Sequence, residues 1–118
     1  MGEREFGRFE RVAEQIRKEL AWILEREMND PRLGFVTISR VDVSKDLKNA
    51  KVYIAVREGH GAAESTKLLN RASGFLRGRL AAHMRMRYVP RIRFAIDEAL
   101  EQASRIDALL KDARRGRR

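Results

Sequence analysis

Between residues 8 and 28 the apolar side chains Phe9, Val12, Ala13, Ile16, Leu20, Ile23 and Leu24 return at intervals of three and four, and the pattern stops at Asp30-Pro31. That spacing predicts one long amphipathic helix ended by the proline, with Trp22 a core or core-edge residue. A helix with a single apolar stripe must lay it against something. The next segments supply the partner, because there the period changes from near 3.6 to 2.

FVTISRVDV, 35–43, alternates first on Val36 and Ile38 and then on Val41 and Val43. The phase therefore slips near Arg40, a β-bulge being one explanation. AKVYIAV, 50–56, alternates cleanly on Val52, Ile54 and Val56, and the intervening SKDLKN reads as a hairpin connection with Lys45 and Lys48 near its tip. RIRFAI, 91–96, follows Pro90 and sets Ile92, Phe94 and Ile96 against Arg91, Arg93 and Ala95, giving a third strand with a basic outward face. Asp97-Glu98 then suits the start of a last helix carrying Leu100, Ala103, Ile106 and Leu110. The fold class is α+β, with a three-stranded sheet and helices packed on one face. In a chain of 118 residues that fills one domain.

Charge narrows the function. The net charge is +9, and residues 65–96, with eight Lys and Arg and no acid, supply +8 of it. A window of that length without a counter-charge favours a polyanionic partner, most often nucleic acid. With no cysteine there is neither a disulfide framework nor a thiolate zinc site. No apolar run is long enough to span a bilayer, so the expectation is a cytoplasmic protein without a membrane partner.

The same basic window contains NRASGFLRGRL, 70–80, which would be one amphipathic helix but for two glycines, each costing about 1 kcal/mol against alanine in a helix interior. At 100° per residue, Leu68, Leu69, Ala72, Phe75 and Leu76 share an apolar arc, whereas Lys67, Arg71, Gly74, Gly78 and Arg85 lie opposite. Arg79 falls inside the apolar arc, and a straight helix would bury its charge. The helix is therefore expected to kink or restart at Ala72-Ser73-Gly74. The glycines serve either close helix packing or a bare backbone that an anion can approach.

The order helix, strand, strand, helix, kinked helix, strand is similar to the type II KH fold, with ASGFLRGRL in the place of that fold's GXXG loop. The sequence departs from it in having Ala72-Ser73-Gly74 there instead. That Ala-x-Gly kink, together with RVAEQIRKEL (11–20), DPRLGFVTIS (30–39), DLKNAKVYIAV (46–56) and MRYVPRIRFAID (86–97), closely resembles the bacterial ribosome-binding factor A family. On this basis residues 8–110 form a KH-like RNA-binding domain, 1–7 an N-terminal extension, and 111–118, ending in RRGRR, a disordered basic tail.

The resemblance implies a factor of late small-subunit maturation that binds the 30S particle and its 16S rRNA and supports processing of the rRNA 5′ end. It also implies a link to growth in the cold and a shared particle with maturation GTPases. A monomer is expected, and no cofactor. A general single-stranded RNA binder of the KH type is the competing reading.

Recognition is expected to rest on phosphate contacts and shape. The expected ligands are Arg71, Arg77, Arg85 and Arg87 with the Ser73-Gly74 backbone, supported by Lys45, Lys48 and Lys51 from the hairpin and Arg91 and Arg93 from the third strand.

Motifs for chemistry are weak. GHGAAE, 59–64, mimics a dinucleotide fingerprint, but its sixth position is Glu64 and no acid from 65 to 96 could take a ribose. His60 and His83 lack metal-ligand spacing. Arginines around Gly74-x-x-x-Gly78 rule out a bilayer helix pair. The chain reads as a binding protein, not an enzyme.

Overall fold

A computed structural model describes residues 3–57, 59–86 and 88–116. The elements follow the order α1 (Glu3–Ile23), β1 (Val36–Val43), β2 (Asn49–Val56), α2 (Ala62–Arg71), α3 (Ser73–Met84), β3 (Arg91–Ile96) and α4 (Glu98–Gly116). The sheet order is β1-β2-β3, with β1 and β2 antiparallel and β2 and β3 parallel. Ile16, Leu20 and Ile23 of α1, Leu69 of α2, and Leu76 and Leu80 of α3 are fully buried. They form one core with Ile38, Val41, Val52, Ile54, Ile92 and Phe94 of the strands.

The slip in β1 is a register shift between Ile38 and Arg40, so that Ile38 pairs with Ile54 and Arg40 with Tyr53. Ser39 is the extra residue, and its hydroxyl donates to Asp97 Oδ2 at 2.7 Å. Asp97 in turn accepts from the Leu100 amide at 3.2 Å and so caps α4. The bulge thus ties the first strand to the start of the last helix.

Asn70 does comparable work at the other edge of the sheet. Its Nδ2 donates to the Phe94 carbonyl at 3.1 Å, and its Oδ1 accepts from the Phe94 amide at 2.8 Å. The outer edge of β3 is thereby closed by a side chain from α2.

Three features depart from the sequence expectation. The first α-helix takes in residues assigned to an N-terminal extension and ends at Ile23, continuing as a π-turn over Leu24–Met28 that Asn29 stops with φ 44°. The wider turn carries Glu27 to α3, where it accepts from Arg79 Nε and Nη2 at 2.6 and 2.8 Å and lies 2.7 Å from His83 Nε2. Trp22 closes this cluster from the core edge, its ring edge-on to His83 at 4.9 Å.

Second, α4 does not join the helix layer formed by α1, α2 and α3: Leu100, Ile106 and Leu110 are about half exposed, at 46%, 57% and 54%. Third, α4 continues to Gly116, so Arg114 and Arg115 belong to its last turn and not to a disordered tail. Cations there complement the negative end of the helix dipole. Residues 117 and 118 of the expected tail lie outside the described residues.

The Glu27 cluster gives the fold an acid-labile clasp. Hydrogen bonds from Arg79 and then His83 pull the Glu27 carboxyl from the ordinary 4.5 down to about 2. A depressed carboxyl stabilises the folded state above its unfolded pKa and loses that contribution as pH falls through the folded value. Asp97, held down by the Ser39 hydroxyl, and Asp46, held down by the Ser44 hydroxyl, have the same sign. Thermal melts should therefore show stability falling between about pH 5 and pH 2, and Glu27→Gln should flatten part of that slope. An unchanged slope in the variant would place the acid sensitivity elsewhere.

Candidate nucleic-acid interface

The break between α2 and α3 falls at Ala72, whose φ and ψ are −86° and 3°. Beyond it the helix is rotated, as Arg79 demanded: Leu76 and Leu80 turn into the core while Arg79 reaches out to Glu27. The rotation also turns out Phe75, 51% exposed, which would lie on the apolar arc of a straight helix. The first amides of α3 receive no side-chain cap. Ser73 is half-buried and Gly74 exposed.

A methyl group built on Gly74 or Gly78 would meet nothing within 4 Å. Close helix packing therefore does not explain either glycine in the free protein. They leave a stretch of bare backbone on the outer surface of the helix layer, beside exposed Lys67, Arg71 and Phe75. Arg85 sits on the same helix layer but ends α3 in the left-handed region at φ 53°.

The hairpin tip is organised by two short side chains. Asp46 Oδ1 accepts from the Ser44 hydroxyl at 2.7 Å and from the Lys48 amide at 3.0 Å, and the Ser44 hydroxyl oxygen accepts from the Asn49 amide at 3.0 Å. Leu47 completes the turn with φ 60°. Lys45 and Lys48 are consequently displayed, exposed, on an ordered loop. The Arg91 amide donates to the Lys48 carbonyl at 2.8 Å, which fixes the tip against the start of β3.

A groove of about 820 Å³ opens between this tip, α3 and the segment before β3, lined by Leu47, Lys48, Arg77, Met86, Tyr88 and Arg91 among others. Its walls combine cations with apolar and aromatic surface, the mixture that takes a nucleotide's phosphate and base together. Arg77 has a prior commitment there. Its Nε and Nη2 both donate to the Val89 carbonyl, at 3.0 and 2.8 Å, latching the segment that leads into β3. Three of its five N–H groups are left for a ligand. Arg87, also expected in the site, lies outside the described residues.

Lys51 and Arg93 lie elsewhere, on the side of the sheet away from the helices, and Arg91, at the edge of the groove, alternates onto that same side. Lys51 pairs with Arg93 and Asn49 with Arg91 across the parallel strands, and all four are exposed. Arg40 belongs to this group and was missed in the sequence, although the Val41-Val43 phase already turns it outward. Its guanidinium carbon lies 3.9 Å from the Tyr53 ring centroid, and Lys51 Nζ lies 5.2 Å from the same ring.

The expected cations therefore form not one patch but two, with the core between them. One covers the helix layer at the kink, the other the outer sheet face, and the hairpin-tip groove lies at the end of the sheet.

A family model described as Ribosome-binding factor A matches residues 8–110. A curated ribosome-binding factor A from Hahella chejuensis is 46% identical, across 94% of this chain and 87% of its own length. One from Chromohalobacter salexigens is 44% identical, across 93% and 86%. Among solved structures, the crystal structure of ribosome-binding factor A from Thermus thermophilus superposes with a TM-score of 0.63 at 33% identity, covering 73% of this chain and 92% of that one. A Thermus thermophilus homology model fitted into the cryo-EM map of a 30S complex gives 0.60 at 35% identity, covering 72% and 90%.

Proposed function

Since the chain belongs to the ribosome-binding factor A family, we propose that it binds the small ribosomal subunit during late maturation, contacts 16S rRNA, and supports processing of that RNA's 5′ end. The observation that carries this reading is the kink at Ala72-Ser73-Gly74, where bare backbone, an uncapped helix start and Arg71 meet on one exposed surface. Backbone amides and a guanidinium together make a phosphate site that senses shape more than base identity. A relative fitted into a map of the 30S complex supports the choice of particle.

The factor works through binding energy. Occupying an immature conformation of the subunit stabilises it over the mature one until another step displaces the protein. Maturation GTPases acting on the same particle are natural agents of that displacement. We place the protein in the cytoplasm as a monomer, and no helix among the described residues is long and apolar enough to cross a membrane.

Expression of this chain in a bacterium lacking its own family member tests the processing role. Primer extension should show 5′-extended 16S precursor declining to the level of the intact strain, most visibly in the cold. Precursor that stays high while the protein co-sediments with 30S would separate binding from processing and remove the latter.

Gly74→Ala tests the site. Because the added methyl meets nothing within 4 Å, the thermal transition should stay at or slightly above the parental one, alanine being the better helix former. Affinity for 30S subunits should fall about fivefold, equivalent to ~1 kcal/mol. Parental affinity would show that RNA does not approach the bare backbone.

A further inference from the structure

We propose that the outer face of the sheet is a second RNA-binding surface, on which an unpaired base stacks on Arg40, so that the protein holds two RNA segments at once. This rests on the reading of the helix-layer surface as an rRNA site. The outer face is left open by the fold, since α1, α2 and α3 pack on the other side and the apolar residues of α4 stand clear in solvent.

Five side chains make the surface. Arg40, Lys51, Arg91 and Arg93 are exposed, and Tyr53 is half-buried between Arg40 and Lys51. Register puts Arg40 opposite Tyr53 and Lys51 opposite Arg93, so the cations run across all three strands. Neighbouring strands are about 4.8 Å apart and alternate residues about 6.6 Å apart, which spaces the charges along a backbone path and prevents their collapse onto one phosphate.

Arg40 is more than a phosphate ligand. One side of its guanidinium rests on Tyr53 at 3.9 Å, and the side chain is still 54% exposed, so the opposite side faces solvent. A planar cation already stacked on an aromatic ring is a platform for a nucleobase, and the second stacked partner costs little ordering. Asp42 Oδ2 accepts from Arg40 Nη1 at 2.9 Å, and Asp97 Oδ2 lies 3.9 Å from Arg40 Nε. These carboxylates hold the guanidinium in the plane of the platform. They also disfavour a phosphate directly beside it; Asp42 stands opposite Lys51 in the β1–β2 register as well, so the phosphate role falls mainly to Arg93 and Arg91, with Lys51 between Asp42 and Arg93.

The position of this surface decides the mode of action. Leu69, Leu76 and Leu80 point from the helices into the core, and Lys67, Arg71, Gly74 and Gly78 lie on the far side of those helices. Strand residues on the outer sheet face point the other way. One RNA strand on each surface would therefore be separated by the whole thickness of the domain, whose shortest dimension is 19 Å. A factor with that geometry clamps two rRNA segments at a fixed distance.

The test uses the full chain with short unstructured RNA carrying 2-aminopurine, and a sandwich assay in which bead-bound RNA must capture a second, labelled RNA through the protein. The parent should capture the second strand and quench the 2-aminopurine. Arg40→Lys keeps the charge and loses the plane, so quenching should disappear and affinity fall roughly tenfold while the salt slope stays the same. Lys51→Ala with Arg93→Ala should abolish capture and lower the slope. Arg71→Ala with Arg85→Ala should abolish capture but keep the quench, because it disables the other surface.

Quenching unaffected by Arg40→Lys, or a parent that never captures a second strand, overturns the proposal. If the helix-layer variant still captures and binds as the parent does, the second segment is held somewhere other than the kink, so the kink reading fails and the clamp across the two faces falls with it, whereas loss of quenching in Arg40→Lys still tests the outer face by itself.

Discussion

Asn70→Ala is expected to lower the free energy of unfolding by about 2–3 kcal/mol, the largest effect of any single polar substitution considered. The reason is that Asn70 answers both backbone groups of Phe94, donating to its carbonyl at 3.1 Å and accepting from its amide at 2.8 Å. Phe94 itself is only 2% exposed, so water reaches the abandoned groups poorly. Asn70→Asp separates the two halves of the argument. The carboxylate can still accept from the amide but turns a second acceptor toward the carbonyl, so it should be nearly as damaging. Urea unfolding measures both. A loss below about 0.5 kcal/mol for alanine would mean that the edge of β3 needs no cover.

The largest effect on binding is expected from Arg71→Ala combined with Arg85→Ala. Each removed phosphate contact lowers the slope of log K against log salt by about 0.7–0.9, so the pair should lower it by roughly 1.5, with affinity for 30S subunits falling on the order of tenfold at moderate salt. Stability should move by less than about 1 kcal/mol, since both side chains are exposed and neither makes a hydrogen bond among the described contacts. Isothermal binding over a salt series, with a melt of each variant, gives both quantities. Loss of folding would reassign these arginines to structure, and an unaltered slope would move the site away from the kink.

The sequence made the fold legible where a pattern has one physical cause. A phase slip between Val36-Ile38 and Val41-Val43 can be accommodated by an extra residue, and the register shift at Ser39 supplies it. A charged Arg79 inside an apolar arc could not be buried, and the break at Ala72 is what spares it. The type II KH order of elements follows from the same kind of evidence. It was less legible where the cause lies in another part of the chain.

Nothing in LEREM announces a π-turn, because its reason is a partner more than fifty residues away in α3. The stripe of α4 looks like any core-facing helix, and only the assembled fold shows that Leu100, Ile106 and Leu110 stay outside the core. Arg77 read as a free cation because the Val89 carbonyl that engages it comes from a connecting segment with no periodicity. Arg40 and Tyr53 meet only through cross-strand register, which a single strand's alternation does not contain. The basic residues are visible in the sequence, but their division between two faces is set by the fold.

If the proposed function holds, this family member is expected to recognise the small subunit and not polyanions in general. Co-sedimentation with free 30S subunits, run at rising salt beside duplex DNA and a short unstructured RNA, addresses it directly. The protein should remain with the 30S pellet at salt that strips it from the other two, because a shaped rRNA surface adds contacts that counterion release alone does not supply. Equal salt sensitivity on all three would contradict the account and leave a nonspecific binder.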